Sequence, residues 1–483
     1  MNSTKRFALN TSYVLGASLF QKILGLVLVA LIARSLNVEN FGIYSAALAF
    51  AGTFIFITDL GINNYITREL AQKRRNASEI LSEIVGLKLV LSIIAVGVIV
   101  GAAWLLGYST LLQMAVFLAA LSIVLDSFAG TLRTSFYSFE VLKFEFWITN
   151  IYRVLLLAAS FAAIFFQQGL LVLLAVAAGA SFVHFVLSAL TVYSKIAKYS
   201  VRFHVSRVFA LLFQTAPFML SSTFWGIYTT VPAVLVLQWS TVSEVAYYSS
   251  AYRIVSAMAF LSTGFVSTLY PLMSRKFVQS SAQMGMLLQK SFKYLLIAVL
   301  PLAFLFSVLA DRVMTAIYSS SFSVAGPVFQ VMTWYTAFNF LNLVFFTFLN
   351  STGREKQLAI FTGVALAFCL GANFFLIPLY GALGAAYAMV LTDALLFFLF
   401  FAYVRKIGYK VGVLSVLFKP LIASLCVAAF AWVFYSISLV ALLVLSCALC
   451  FGILGLLKAF DAEDLRLFNE VIASKKAPAK AVE

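Results

Sequence analysis

Charge is what this chain of 483 residues most lacks: 17 acidic and 33 basic side chains make up only a tenth of it. A water-soluble domain carries about a quarter, so a charged, water-facing shell around a single core is excluded. Histidine and cysteine are also scarce. Cys369, Cys426, Cys447 and Cys450 lie inside apolar runs and match no zinc or redox framework. They read as small apolar fillers. His184 and His204 have no third ligand near them in sequence, and no Gly-rich loop ends in Gly-Lys-Ser/Thr. Neither a metal site nor a nucleotide or other cofactor is expected.

What the chain has instead is apolar length. It is 63% hydrophobic, and about fourteen stretches between Tyr13 and Leu457 are long enough to cross a bilayer. They read as 13–34, 43–66, 84–105, 111–132, 147–166, 170–194, 208–238, 245–273, 294–310, 326–349, 357–378, 382–404, 417–435 and 440–457. The first is too long and too polar at its flanks for a cleaved signal peptide, because Asn10-Thr11-Ser12 leads into it and Arg34 closes it. The net charge of +16 would suggest nucleic acid in a soluble protein, but its distribution points elsewhere. The odd-numbered links hold only Arg34 and Arg312, whereas the termini and even-numbered links hold 27 basic residues, among them Arg68, Arg133, Lys198, Arg354 and Lys406. Short basic loops resist translocation, so both termini are expected in the cytoplasm and the number of spans is expected to be even. No nucleic-acid partner is implied.

Weak self-similarity at an offset near 204 aligns Asn37 to Ala47 with Thr241 to Ala251, and Tyr193 to Tyr199 with Tyr403 to Tyr409. A repeat with an even number of spans places its halves in the same orientation, related by an axis along the membrane normal. The expected fold is an all-α polytopic membrane protein of about 14 transmembrane helices. Two six-helix lobes form a V around a central cavity: residues 1–204 hold spans one to six, and residues 205–410 hold the repeat, spans seven to twelve. Residues 411–458 add two C-terminal helices. Residues 459–483 are a cytoplasmic tail whose stretch from Asp461 to Ile472 has amphipathic helical spacing.

The stretch Ala33-Arg34-Ser35-Leu36-Asn37-Val38-Glu39-Asn40-Phe41-Gly42-Ile43-Tyr44-Ser45, then Asp59-Leu60-Gly61-Ile62-Asn63-Asn64 and Arg68-Glu69, resembles the signature of the polysaccharide-biosynthesis flippases. Asn350-Ser351-Thr352-Gly353-Arg354-Glu355-Lys356 and Tyr380 to Ala386 extend the likeness, although Asn37 stands where that family commonly has Gly. Those flippases belong to the multidrug/oligosaccharidyl-lipid/polysaccharide exporter superfamily. The resemblance implies flipping of an undecaprenyl-pyrophosphate-linked oligosaccharide, such as an O-antigen or capsule repeat unit of lipopolysaccharide or capsule biosynthesis, from the cytoplasmic to the periplasmic leaflet. Membrane lipids, a polysaccharide polymerase and chain-length machinery are the partners it suggests.

Four cations remain within the spans: Lys22, Lys88, Arg153 and Arg253. Each would cost roughly 2.5–3.5 kcal/mol at the bilayer centre, so they are expected to face a cavity or partners, and they are the candidate ligands of a pyrophosphate. Lys22 is the deepest. Lys88 and Arg153 are near enough to the cytoplasmic end to snorkel or to form an internal ion pair, and Arg253 can pair with Glu244 or face the cavity. The acidic residues within spans are Asp59, Asp126 and Asp393. Asp393 is the preferred coupling carboxylate; Asp59, before Leu60-Gly61, is second and reads equally as a helix-break residue or a partner of Lys88 or Arg153. Trp225, Tyr228 and Tyr252 are candidate sugar-facing aromatics, whereas an interfacial belt accounts for Tyr247 and Tyr248. Pro217 and Pro232, with Gln214, Ser221, Ser222, Thr223, Thr229 and Thr230, suggest a bent span seven that lines water.

A transporter without covalent chemistry accommodates these features. A murein-precursor flippase shares intramembrane cations and about fourteen spans. A drug/cation antiporter of the same superfamily would want acidic groups where Lys22 stands, and a membrane oligosaccharide polymerase or ligase would want a substantial periplasmic loop, while the longest external link here runs only from Asp311 to Ala325. The topology is directly testable. Cysteines placed at Tyr108, Gln168 and Ser438 are expected to react with an impermeant thiol reagent from outside, and those at Ser78, Lys198 and Ser280 are not; reversed labelling would overturn the span assignment.

Overall fold

The computed structural model describes residues 20–72, 76–139, 141–201, 223–259, 281–409 and 412–459, with Ser262, Phe265, Leu269 and Met273. Gln214, Pro217, Ser221 and Ser222 of span seven, the start of span one and the C-terminal amphipathic segment lie outside the described residues. Among the described residues there are helices and no strand. In chain order these are α1 (20–35), α2 (Val38–Thr53), α3 (Phe56–Asp59), α4 (Ile62–Gln72), α5 (Ala77–Leu105), α6 (Thr110–Ser138), α7 (Leu142–Phe165) and α8 (Leu170–Lys195). They continue as α9 (223–239), α10 (Val242–Met258), α11 (Ser281–Val308), α12 (Ala310–Ile317), α13 (Gly326–Ser351), α14 (Glu355–Lys406), α15 (Val413–Val433) and α16 (Leu439–Leu456).

Ten described helices are long and apolar enough to cross a membrane. The 52-residue α14 holds two of the expected spans, because Gly381 breaks it with φ 56 and ψ −130, a backbone conformation that glycine adopts without a Cβ clash. With α1, α9 and α10, which fall in expected spans one, seven and eight, all fourteen expected crossings have a helix. Several helices outrun their apolar runs. α5 begins seven residues before the expected span at 84, because Asn76 caps it by accepting the Ser78 backbone N–H at 3.0 Å.

Capping also marks the expected repeat. Asn37 accepts the Asn40 N–H at 2.8 Å and starts α2 at Val38. Thr241 accepts the Glu244 N–H at 3.3 Å and starts α10 at Val242, 204 residues later.

Helices α2 to α8 pack among themselves, with α6 against α8 at their centre. Helices α10 to α16 do the same around α11, α13 and α14. The two groups meet where α2 lies on α10. Gly42 permits that approach: a Cβ there would stand 2.2 Å from the Val242 carbonyl oxygen. Around the crossing, buried Phe41 meets Phe322 edge to face at 5.6 Å, Arg34 Nε donates to the Ile317 carbonyl at 2.9 Å, and Thr53 Oγ1 donates to Thr230 Oγ1 at 3.0 Å. Lipid is as apolar as leucine, so close van der Waals contact and hydrogen bonds, rather than burial from water, hold such a joint. The outer faces keep their large apolar side chains exposed, as at Phe375, Trp432 and Leu456.

Gly42→Ala is therefore expected to cost about 1–3 kcal/mol by overpacking. Gly97→Ala, at an open helical position with nothing within 4 Å of its Cβ, is expected to be neutral or stabilising by up to about 1 kcal/mol. Thermal unfolding of the two variants in detergent checks the contrast.

Candidate functional site

Residues Val38 to Asn63 do not form one straight helix. α3 ends at Asp59, after which Leu60 takes left-handed geometry (φ 42) and Gly61 follows at φ 78. The break leaves backbone carbonyls without helical partners and opens a cavity of about 390 Å³ between this segment, α6 and α9. Thr53, Asp59, Asn63, Asp126, Ser127 and Thr223 contribute its polar lining. Lys88 closes the wall behind it. Its Nζ donates to the Thr58 carbonyl at 2.7 Å and to Ser127 Oγ at 2.9 Å, within electrostatic reach of Asp59.

Snorkelling is thus not what Lys88 does: it is wholly buried, because the carbonyl freed at the break attracts the ammonium inward. Asp59 is the helix-break residue and neighbour of Lys88 that the sequence allowed, and its Oδ1 is buried without a hydrogen-bond partner.

On the far side of the same cavity Asp126 bridges two helices that sequence reasoning did not connect. Its Oδ1 lies 2.7 Å from His184 Nδ1 on α8, and its Oδ2 accepts the Tyr152 hydroxyl of α7 at 3.0 Å. The Tyr152 and His184 rings stack at 4.3 Å and 8°. One turn or two away, Arg133 Nη1 pairs with Glu145 Oε1 at 2.5 Å and reaches Thr149 Oγ1 at 2.8 Å.

The candidate cations divide. Lys22 is exposed on α1 and within electrostatic reach of Arg153 on α7. Arg153 lies over the Tyr152 ring at 5.2 Å, and its Nε is buried without a partner. Among the described residues neither has a carboxylate in ion-pair range. Arg253 is remote from this pair, among Tyr44, Tyr252 and Tyr318. The pairing with Glu244 that the sequence left open is not formed among the described residues: Glu244 Oε2 accepts the Ala382 N–H at 2.7 Å and caps the helix restarting after Gly381.

Asp393 is fully buried in the second group. It accepts the Tyr228 hydroxyl on Oδ2 and Asn342 Nδ2 at 2.9 Å on Oδ1, and Asn339 also reaches it. Asn339 Nδ2 donates onward to the Tyr335 hydroxyl at 3.3 Å. This network floors a second cavity of about 310 Å³, lined by Trp225, Tyr252, Tyr335, Asn339, Asn342 and Phe346 among others, none of them charged. Trp225 and Tyr252 thus line it, while Tyr228 lies beneath it through Asp393. The interfacial role expected of Tyr248 fails. That side chain is buried, stacks on Tyr252 at 6.2 Å and donates its hydroxyl to Met389 Sδ, because α13 and α14 cover α10 where the sequence suggested a membrane boundary.

Both cavities fall at the lower end of the roughly 300–1,000 Å³ usual for ligand sites. Sequence reasoning missed His184, Tyr152, Tyr335, Asn339 and Asn342. Their signal was polarity inside apolar runs, which by itself does not separate a site from a helix-to-helix contact.

This architecture is that of a multi-pass, all-helical membrane protein. It matches the inward closed conformation of the lipid II flippase MurJ with a TM-score of 0.76 over 91% of this chain and 97% of that one, at 14% identity. An inward-facing multidrug-resistance MATE transporter of the MOP superfamily matches with 0.61 over 83% of this chain and 95% of that one, at 13% identity. At these identities the likeness is one of fold. The family model described as polysaccharide biosynthesis protein matches residues 7–277, and the chain belongs to that family. An uncharacterized membrane protein of Methanocaldococcus jannaschii, MJ1068, is 26% identical over 147 residues, which cover 30% of this chain and 29% of that protein; the match spans less than a third of it.

Tyr228→Phe removes one hydrogen bond to buried Asp393, and Asn342→Ala removes two, to its Oδ1 and to its backbone carbonyl; each change is expected to lower stability by about 1–3 kcal/mol. In an Asp393→Leu background Tyr228→Phe is expected to lose most of its effect, and Asn342→Ala the part carried by Oδ1. Thermal unfolding of the single and double variants measures the coupling, and additive losses would show that the three side chains act separately.

Proposed function

We propose that this protein flips an undecaprenyl-pyrophosphate-linked oligosaccharide from the cytoplasmic to the periplasmic leaflet of the bacterial inner membrane by alternating access, without covalent chemistry and with both termini in the cytoplasm. The observation that carries this is a division of polarity. Lys22 on α1 and Arg153 in the first helical group are two cations without described carboxylate partners, and the second group holds an uncharged cavity walled by aromatic, amide and hydroxyl groups. A pyrophosphate calls for the former and a sugar for the latter, while the polyprenyl tail stays in lipid between the lobes, 1–204 and 205–410. Lys88 and Arg253 add positive potential from behind the contact surface, and Trp225 and Tyr252, supported by Tyr228, present the sugar-facing aromatics. The contacts around Arg34, Gly42 and Val242 join the groups at ends expected to be periplasmic, as in a state closed to the outside. Outward movement of the anionic headgroup is aided by the membrane potential at about 2.3 kcal/mol per charge per 100 mV. Asp393, or Asp59 after it, is the coupling carboxylate of this scheme.

A second reading takes support from the fold match to the lipid II flippase: the cargo is a murein precursor, which also carries a pyrophosphate. In proteoliposomes with labelled lipids, Lys22→Ala and Lys22→Glu are expected to abolish translocation of lipid-linked oligosaccharide at normal protein abundance, and Lys22→Arg to restore part of it. Full movement by Lys22→Glu would remove Lys22 from the mechanism. Movement of a murein precursor but not of lipid-linked oligosaccharide would establish the second reading, and new glycosidic bonds would overturn transport altogether.

A further inference from the structure

Histidine is the side chain whose ordinary titration falls between about pH 5 and 8, and this chain has two of them. One lies in the middle of the first helical group. His184 is 2% exposed and held on two sides. Asp126 holds Nδ1 at 2.7 Å, the Tyr152 ring covers its face at 4.3 Å, and the Nε2 atom is buried without a partner among the described residues. A purely structural histidine in an apolar helix bundle has both ring nitrogens satisfied, because an unmet polar atom there costs about 1–3 kcal/mol. The unmet nitrogen is retained beside a carboxylate that does communicate with space: Asp126 has a 35% exposed side chain and lines the 390 Å³ cavity.

We propose that the His184–Asp126–Tyr152 cluster is a proton-binding site, filled from water in that cavity through Asp126, and that the proton bound there is a coupling ion of transport. With His184 neutral and Asp126 ionised the pair carries one negative charge. Neutral His184 already donates its Nδ1 proton to ionised Asp126, so the proton added from the cavity ends on Nε2 while the Nδ1 proton stays in the 2.7 Å contact, and the pair comes to zero; no other bond forms or breaks. Tyr152 keeps its hydroxyl proton throughout and orients Oδ2 by donating to it.

The charged groups acting on the imidazole are Asp126 and Arg133 from α6 and Arg153 from α7. Arg133 is already engaged by Glu145. α2, which also touches α8, contributes only Glu39, exposed in its first turn. Loading the site therefore changes the charge balance seen by Arg153, the guanidinium stacked on Tyr152 and coupled to Lys22. Proton occupancy and anion affinity are linked through that one arginine, with the same coupling free energy in either direction.

The coupling role rests on the transport function proposed above, whereas proton binding itself does not, so two measurements separate them. In the full chain in lipid nanodiscs, with His204→Gln leaving a single histidine, the imidazole ring resonances of His184 are expected to titrate between about pH 5 and 8. The midpoint is expected to move by about ten-fold or more in proton concentration when Asp126 is changed to Asn. An imidazole that does not titrate in that interval, or whose midpoint ignores Asp126→Asn, overturns the site. In proteoliposomes the ratio of translocation rates with and without an imposed pH gradient is expected to exceed one for the parent and to fall in His184→Gln to the part that Asp393 supplies. Tyr152→Phe, which keeps the ring stack and removes only the hydroxyl, is expected to give an intermediate ratio and guards against misfolding of the first variant. A His184→Gln protein with the parent's ratio overturns the coupling role. Absence of any lipid movement by the parent would overturn the transport reading and leave the titration to decide the proton site.

Discussion

Hydrocarbon offers no hydrogen bonds, so the polar groups that this chain carries into the bilayer gain most from partners inside the protein. That constraint explains why the polar clusters join helices distant in sequence. Asp393 ties α9, α13 and α14 together through Tyr228 and Asn342, Asp126 ties α6, α7 and α8, and Lys88 ties α5 to the broken segment after α2 and to α6. Each of these groups would be prohibitively placed if it faced lipid. Each therefore acts as a register mark that allows one packing of the helices and disfavours shifted ones.

The three ties differ in their access to the cavities, and the difference sorts scaffold from site. Lys88 has both observed hydrogen bonds within the protein and no exposure, so it shapes the wall at the Asp59 break. Asp393 is equally enclosed, but its network of Asn339, Asn342 and Tyr335 forms the floor of a neutral cavity, so its partners double as cavity lining. Asp126 is the carboxylate with one face in a cavity and the other on a buried imidazole. A group so placed can exchange with water on one side and report to the fold on the other.

Between the two helical groups the physics changes from hydrogen bonding to proximity. The joint of α2 on α10 depends on Gly42, with the aromatic contact of Phe41 and Phe322 and the Arg34 link beside it.

Much of this protein is legible in its residues alone. Fourteen apolar runs, the segregation of basic links and the caps at Asn37 and Thr241 are local properties: hydropathy over about twenty residues decides whether a segment spans, and a single side chain decides where a helix begins. The same holds for the break at Asp59, since Leu60-Gly61 follows it directly. What remained outside reach is which polar residues meet. Lys88 pairs with the Thr58 carbonyl 30 residues away, His184 with Asp126 58 residues away, and Tyr228 with Asp393 165 residues away. Nothing periodic in the sequence encodes those distances. Tyr248 likewise lies at a membrane boundary by its place in the chain and in a buried stack by its place in the fold, because helices arriving later cover it. The sequence by itself determined that the chain spans the membrane and roughly where its crossings lie, since those depend on transfer to lipid and on local hydrogen bonds. Only the tertiary structure decided which charges are walls, floors or open faces, since that depends on the neighbours that packing supplies.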